Sequence, residues 1–399
     1  MSRLDRVVVV GASVAGVRTA EALRERGFAG ELILVDKEKE YPYNRPPLSK
    51  EFLLGQLEED DIRLLTQDMA DDLHIDLRLG VEARGLRLGD RAVDTDCGAV
   101  GFDALVIATG GGPIIPPGWV DLEGVTALRT LDDARMIQRA LQAGTPRAVV
   151  VGGGFIGCEI AASLRSLGAG EVTIVEAAPS LLSRALDPSV AERVAQLHRD
   201  RDVDVRCGTG VARMLGHGRV EAVELTDGAR IDADLVVVGL GARPATSWLE
   251  NSGLTIRDGV CADATLRAAP DVYAVGDIVR YADAVAPGGR RVEHWTSARE
   301  HGVIAAGNLL APAQPQAVAG PAFVWSDQYE RRIQIIGDGR GEQVRFVECD
   351  EAGDGCLALV GGPARVTGAI ALDRPKQFRR ARRLVDAGAD WTAVGELRW

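Results

Sequence analysis

An α/β fold is predicted for this 399-residue chain: two parallel-sheet units, then a C-terminal α+β domain. Three observations predict it. First, residues 149–176 run apolar strand, glycine turn, helix, second strand and acid. Val149, Val150 and Val151 precede Gly152, Gly154 and Gly157 in G-x-G-x-x-G spacing; Ile160, Ala161, Leu164 and Leu167 follow at helical spacing; the run 172–175 ends in Glu176. Second, the chain opens with another copy of that order, from the run 7–10 through Gly11, Ser13 and Gly16 to Asp36. Third, beyond about residue 321 the pattern changes to short strands separated by Gly/Asp turns. The repeated order is that of a Rossmann-like dinucleotide-binding unit.

Taken in order, the run 7–10 is a buried strand, and Ser13 holds the middle glycine position, where a small hydroxyl side chain can itself bond phosphate. A helix from about 14 to 26 packs through Ala15, Ala20, Ala22 and Leu23, and the strand 32–35 ends at Asp36. The buried strand 104–108 leads into Thr109-Gly110, and the Gly/Pro-rich bend 110–118 is a domain crossing. After the second unit, the alternating stretches 203–213 and 220–226 predict a small β-layer packed on it. The buried strand 235–240 is followed by Gly241-Ala242-Arg243-Pro244, which resembles the first crossing and carries the chain back. The strand 272–275 ends in Gly276-Asp277, either a carboxylate held out to a polyol or a plain turn. The terminal strands are 332–337, 343–349, 356–360 and 364–372, closed by a helix at about 375–387. The domains are then 1–113 with 239–318, 114–238, and 319–399.

The glycine spacing has a physical reading. The first glycine allows the tight turn, the second lets the backbone approach a pyrophosphate, and the third lets helix and strand pack closely; the phosphates meet the unpaired N–H groups of the helix start. The bland alternative is a glycine turn that merely ends a strand. Glu176 can accept bonds from both ribose hydroxyls and repels a 2′-phosphate, and Ala177 and Ala178 offer no arginine beside it. NADH is therefore favoured over NADPH, with Arg184 further on as an opposing feature. Two units imply two dinucleotides. One FAD and one NAD is the economical reading, since two NAD sites would have no redox partner inside the chain.

Composition excludes several classes. Hydrophobic residues at 46% and charged residues at 26% describe a globular chain, long enough for two or three cored domains. A net charge of −12 opposes nucleic acid and anionic membranes. The polar residues 1–6 carry no signal-peptide core and no apolar run spans a bilayer, so the expected home is the cytoplasm. The six cysteines, Cys97, Cys158, Cys207, Cys261, Cys349 and Cys356, form neither C-x-x-C nor C-x4-C. No metal site and no adjacent dithiol are expected.

With these residues in view, the chain resembles the FAD-dependent, NADH-using ferredoxin reductases that feed bacterial haem monooxygenases and Rieske-type dioxygenases. The resemblance covers essentially the whole chain. It is most specific at 43–50 (Tyr-Asn-Arg-Pro-Pro-Leu-Ser-Lys), 152–159, 274–277 and 325–329 (Trp-Ser-Asp-Gln-Tyr). It implies a glutathione-reductase-like fold, FAD and NADH as cofactors, and an acidic iron–sulfur ferredoxin as partner. It places Gly11, Ser13, Ala15, Gly16, Asp36, Lys37, Ala83, Ala108, Thr109 and Gly110 at FAD, Gly276 and Asp277 at its ribitol, and Glu293, His294 and Trp295 beside the isoalloxazine. Arg45 and Lys50 run along FAD, Lys50 close to the flavin ring, and Arg129 matches an FAD-contacting arginine. Gly152, Gly154, Phe155, Ile156, Gly157, Glu176 and Gly241 fall at NADH, with Glu159 near the nicotinamide and paired with Lys50. Trp325 matches an aromatic residue near the flavin on the docking side, or is a core tryptophan; Arg331 and Arg332 beside it would make that face locally positive. The chain departs from the family at Asn44, where aspartate is common, at Gly112, where arginine is frequent, and at Lys37, where the acid after the second strand commonly sits. Asp36 is left to reach the adenosine ribose.

NADH delivers two electrons as hydride, a ferredoxin accepts one at a time, and FAD can do both. Lys50 would stabilise negative charge on the reduced flavin, with Glu159 holding it; the alternative is a salt bridge that only braces the loop. The same scaffold serves disulfide reductases, NADH oxidases or peroxidases, and flavin monooxygenases. No dithiol is present for the first, residues 41–54 contain no cysteine for the second, and the F-x-G-x3-H-x3-W pattern of the third is missing. A slow, NADH-binding redox sensor of the same fold is the other candidate, separable by ferredoxin-dependent turnover.

Overall fold

The computed structural model describes residues 4–283, 286–349 and 355–395; of the polar start of the chain, Met1, Ser2 and Arg3 lie outside the described residues. Two compact units result. One comprises Met1–Asn44, Glu59–Gly112 and Arg243–Ala322; the other comprises Arg45–Glu58, Pro113–Ala242 and Phe323–Trp399. The sequence boundaries set the C-terminal domain apart; here it clusters with the second unit, as does the segment 45–58.

The first unit is built on a six-stranded sheet in the order Arg267–Ala269, Val272–Ala274, Ala104–Ile107, Arg6–Val10, Glu31–Asp36, Ile75–Leu79. Arg6–Val10 pairs in parallel with neighbours on both sides, and Val7, Val8 and Val9 are fully buried. Burial on both faces is why these strands read as continuous apolar runs rather than alternations. The Val14–Glu25 helix packs against Trp295–Leu310. The approach is close because Gly302 has no side chain: a Cβ there would lie 2.8 Å from the Ala15 carbonyl oxygen. The edge strand Ile75–Leu79 and a small antiparallel sheet of Ala83–Arg87, Ala92–Thr95 and Gly98–Gly101 were not foreseen.

The second unit carries a five-stranded parallel sheet in the order Val203–Cys207, Glu171–Glu176, Arg147–Val151, Leu235–Val238, Val125–Ala127. This corrects the expected β-layer over 203–213. Val203–Cys207 extends the parallel sheet, and only Val211–Leu215 joins Ala222–Leu225 and Arg230–Asp232 in a three-stranded antiparallel layer. Gly208, at φ +79°, turns the chain between the two. The Leu131–Gln142 helix starts at a capping box, with Thr130 Oγ1 accepting from Asp133 N and Asp133 accepting from Thr130 N.

In the C-terminal part, five antiparallel strands run in the order Phe323–Gln328, Arg331–Gly337, Val366–Leu372, Cys356–Gly361, Gln343–Cys349. The Pro375–Asp386 helix covers them through Phe378, Ala381 and Val385. Phe323–Gln328 is a strand that sequence patterning did not mark. It turns back at Tyr329, φ +57°, into Arg331–Gly337.

Candidate active site

In the first unit, the Val14–Glu25 helix begins at Ser13, whose side chain makes no capping bond, and its first turn holds no acid. Its N-terminal N–H groups and positive dipole end are thus left for an anion. Gly11 and Gly16 are needed for packing: a Cβ on Gly11 would lie 2.3 Å from the Ala108 carbonyl oxygen, and one on Gly16 would lie 1.8 Å from that of Gly11. Asp36 folds back on the turn, Oδ2 accepting from Ala12 N at 2.5 Å and Oδ1 from Glu38 N at 2.8 Å, while Lys37 is exposed. Gly276, at φ +73°, packs against Ala15, which brings Asp277 to the same turn. His301 Nδ1 accepts from Gly276 N at 3.3 Å, Asn44 Oδ1 accepts from Trp295 Nε1 at 3.1 Å, and Glu293 pairs with Arg291. The buried His294 Nδ1 has no hydrogen-bond partner among the described residues. Thr109 donates to the Ala245 carbonyl at 3.2 Å beside Gly110, and Ala83 packs on the unit's core from the small sheet.

The second unit repeats this geometry. Gly154 caps the Phe155–Ser166 helix without a side-chain bond, and the first turn again holds no acid. A Cβ on Gly154 would meet nothing within 4 Å, so open space lies above this turn, whereas one on Gly157 would lie 2.0 Å from the Gly152 carbonyl oxygen. Ile156, 50% exposed, offers an apolar surface beside Phe155. Glu176 uses one lone pair on each oxygen for the backbone, Oε2 accepting from Gly153 N at 2.6 Å and Oε1 from Ala178 N at 2.7 Å. This is the role Asp36 plays in the first unit, and it leaves further lone pairs for ribose hydroxyls. Arg184 lies at Gly241, its guanidinium 3.5 Å from where a Cβ would stand.

Lys50 and Glu159 meet within the second unit. Lys50 follows the Pro46–Ser49 turn, and its Nζ is 3.2 Å from Glu159 Oε1. They are 7% and 5% exposed. Glu159 Oε2 accepts from Ser49 Oγ at 2.5 Å, and Oε1 also accepts from Ser326 Oγ at 2.7 Å. Burial pushes the Glu159 carboxyl up, while the Lys50 ammonium and these hydroxyls pull it back. Ser163 Oγ donates to the Ser49 carbonyl at 2.6 Å, tying the loop to the helix, and Arg45 Nη1 donates to the Arg129 carbonyl at 2.6 Å.

Trp325 stacks on Phe323 with ring centroids 6.2 Å apart. Arg331 is bound to Asp373 at 3.0 Å and Arg332 to Asp327 at 2.6 Å, so the positive charge expected of this pair is locally offset. The strand register places Cys349 opposite Cys356, a juxtaposition the sequence spacing hid. No His/Cys/Asp/Glu cluster suited to a metal occurs among the described residues. Among the described residues no helix is long and apolar enough to cross a membrane.

Both cradles fit dinucleotides: uncapped helix starts without acids, open space over Gly154, acids at both second strands, and an orphaned imidazole nitrogen at His294. Residues 5–302 match the model of the pyridine nucleotide-disulphide oxidoreductase family, and 323–395 match a reductase C-terminal domain. The chain belongs to the pyridine nucleotide-disulphide oxidoreductase family. It is 36% identical over 389 residues to a ferredoxin–NAD(P)(+) reductase of Sphingomonas sp, covering 96% of this chain and 93% of that one. It is 35% identical over 386 residues to the ferredoxin–NAD(+) reductase component of the p-cumate 2,3-dioxygenase system of Pseudomonas putida, with the same coverage. Among solved structures, putidaredoxin reductase in its covalent complex with putidaredoxin superposes with a TM-score of 0.92 at 29% identity, over 98% of this chain and 96% of that one. This member of the family has no cysteine in the 41–54 stretch.

The buried histidines predict an acid response. Burial pulls His198, His294 and His301 down to about 4. Unfolded histidine titrates near 6.5, so between these values the unfolded chain binds more protons and stability falls as pH falls. At pH 5 each of the three should cost about 2 kcal/mol. Urea denaturation at pH 7 and pH 5 should show this loss, with a shallower pH dependence in His301→Gln; equal stability at both values would contradict it.

Proposed function

We propose that this protein is an NADH-dependent ferredoxin reductase, with FAD on the first unit's cradle and NADH on the second. The observation that carries the reading is the buried Lys50–Glu159 pair beside the second cradle, in a loop where a thiol-based member of this fold would need a cysteine. FAD, when bound, supplies the conversion of a hydride's electron pair into single electrons. The chain's own residues bind and orient. The amides from Gly154 onward receive the NADH pyrophosphate, Glu176 takes the ribose hydroxyls, and Asp277 takes the ribitol. Lys50 presents positive charge to the reacting rings and Glu159 keeps it in place. Glu293, His294 and Trp295 serve the flavin from the first unit and Asp36 serves the FAD adenosine side, and Arg45 and Arg129, joined to each other in the second unit, are further FAD-binding candidates. Trp325 and Arg332 belong to the face that receives an acidic ferredoxin, supported by the exposed Arg379, Arg380 and Arg383 on the covering helix. The cytoplasm, where NADH is regenerated, is the proposed location.

Cytochrome reduction with NADH, measured with and without a purified iron–sulfur ferredoxin, tests this. Fast turnover is expected only with ferredoxin, and NADH should exceed NADPH in kcat/KM by at least about tenfold, the effect of 1.4 kcal/mol at Glu176. Glu176→Ala with Ala177→Arg should narrow that gap. Slow turnover with ferredoxin present would instead favour the redox sensor.

A further inference from the structure

Residues 325–328 alternate along the Phe323–Gln328 strand, and its two buried members face inward: Ser326 and Gln328 are both 0% exposed. Ser326 Oγ donates to Glu159 Oε1 at 2.7 Å, and Gln328 Nε2 donates to Ser326 Oγ at 3.2 Å. Gln328 Oε1 lies 3.1 Å from His198 Nε2, and His198 Nδ1 lies 3.1 Å from Tyr329 Oη. His198, on the Pro188–Arg199 helix, is fully buried.

Donor and acceptor accounting gives this array a direction. Serine has one hydroxyl proton; once Glu159 takes it, Ser326 Oγ can only accept from the Gln328 amide. Gln328 Oε1 only accepts, so His198 Nε2 must carry the imidazole proton. His198 is neutral near pH 7, because burial holds it at about 4, and its Nδ1 is then bare and accepts the Tyr329 hydroxyl. All the donors therefore point one way and end on the Glu159 carboxylate. The same heavy atoms also allow the reverse direction, with Glu159 protonated on Oε1, the Gln328 amide flipped and the His198 proton on Nδ1. The tautomer of His198 thus reports whether Glu159 Oε1 accepts from Ser326 or donates to it. The groups facing Glu159 are Lys50, Ser49 and Ser326, with Cys158 beside it on its helix; Arg201 and Tyr329 face His198.

We propose that Ser326, Gln328 and His198 are positioning residues that hold Glu159 as an oriented carboxylate against Lys50 for the hydride step. This rests on the reductase reading above. It accounts for both buried residues of this strand being polar. Removing the Ser326 hydroxyl takes one donor from the charged form of Glu159, which makes that form harder to keep as pH falls.

The test uses the FAD-loaded enzyme. Stopped-flow flavin reduction by NADH is followed across pH for wild type, Ser326→Ala and Ser326→Thr, together with steady-state kcat and KM. In Ser326→Ala the acid limb should move up by about one pH unit, with kcat lowered and KM for NADH little changed; Ser326→Thr should return it. An unmoved acid limb in a folded Ser326→Ala enzyme overturns the proposal. A second measurement does not depend on that variant folding. In wild-type enzyme labelled with 15N-histidine, His198 should appear at pH 7 as a neutral ring protonated at Nε2; protonation at Nδ1, or an imidazolium, overturns it. If wild-type flavin is not reduced by NADH at all, the reductase reading fails, while the His198 tautomer still reports on the array.

Discussion

Glu159→Gln should destabilise the protein by about 3–5 kcal/mol, because it leaves the Lys50 ammonium buried without its counter-ion. Glutamine keeps one acceptor oxygen, which can serve Ser326, while its amide nitrogen can donate to Ser49 Oγ, so most of the loss is that of the charge. The same logic predicts a rescue. In Lys50→Met with Glu159→Leu both charges are gone and the volumes are similar, so part of the stability should return, less about 1–3 kcal/mol for the buried Ser326 hydroxyl left without its acceptor. The rate should not return. If Lys50 stabilises charge that develops as hydride moves, flavin reduction in the double variant should remain slower by at least about tenfold, the effect of 1.4 kcal/mol. Denaturant unfolding and stopped-flow reduction of the same preparations separate the two roles. A stable double variant with the wild-type rate would make the pair a brace for the 45–58 loop and nothing more.

The second large effect separates two glycines of one fingerprint. Gly154 has φ −78° and ψ −178°, an extended backbone that any residue adopts, and a Cβ on it meets nothing within 4 Å. Gly154→Val should therefore fold, bind FAD and melt near the wild-type temperature. It should fill the space where the backbone must approach phosphate, lowering kcat/KM for NADH by about 100-fold, or 2.7 kcal/mol. Gly157→Ala should do the opposite, failing to accumulate as folded protein, because its methyl would sit 2.0 Å from the Gly152 carbonyl oxygen and the helix cannot shift without leaving its strand. A Gly154→Val enzyme with normal NADH kinetics would remove the pyrophosphate from this turn.

Both dinucleotide units could be read from local pattern because their determinants are local. Glycines at fixed spacing make the turn, runs such as Val7 to Val10 follow from burial on both sheet faces, and Asp36 and Glu176 lie one strand further on. Residues 43–50 and 325–329 likewise carried a family resemblance in their order alone. The sequence did not tell which sheet an alternating segment would join, because a period of two is the same in every half-buried strand; hence Val203–Cys207 was assigned to the wrong layer. Nor did it show that Ser326 would meet Glu159, 167 residues away, or that Gln328 would meet His198 across 130. A serine, a glutamine and a histidine have no periodic signature of their own. Their roles depended on which polar atoms the packed strands and helices left facing one another away from water, where each must find a partner, and only the tertiary structure decided that.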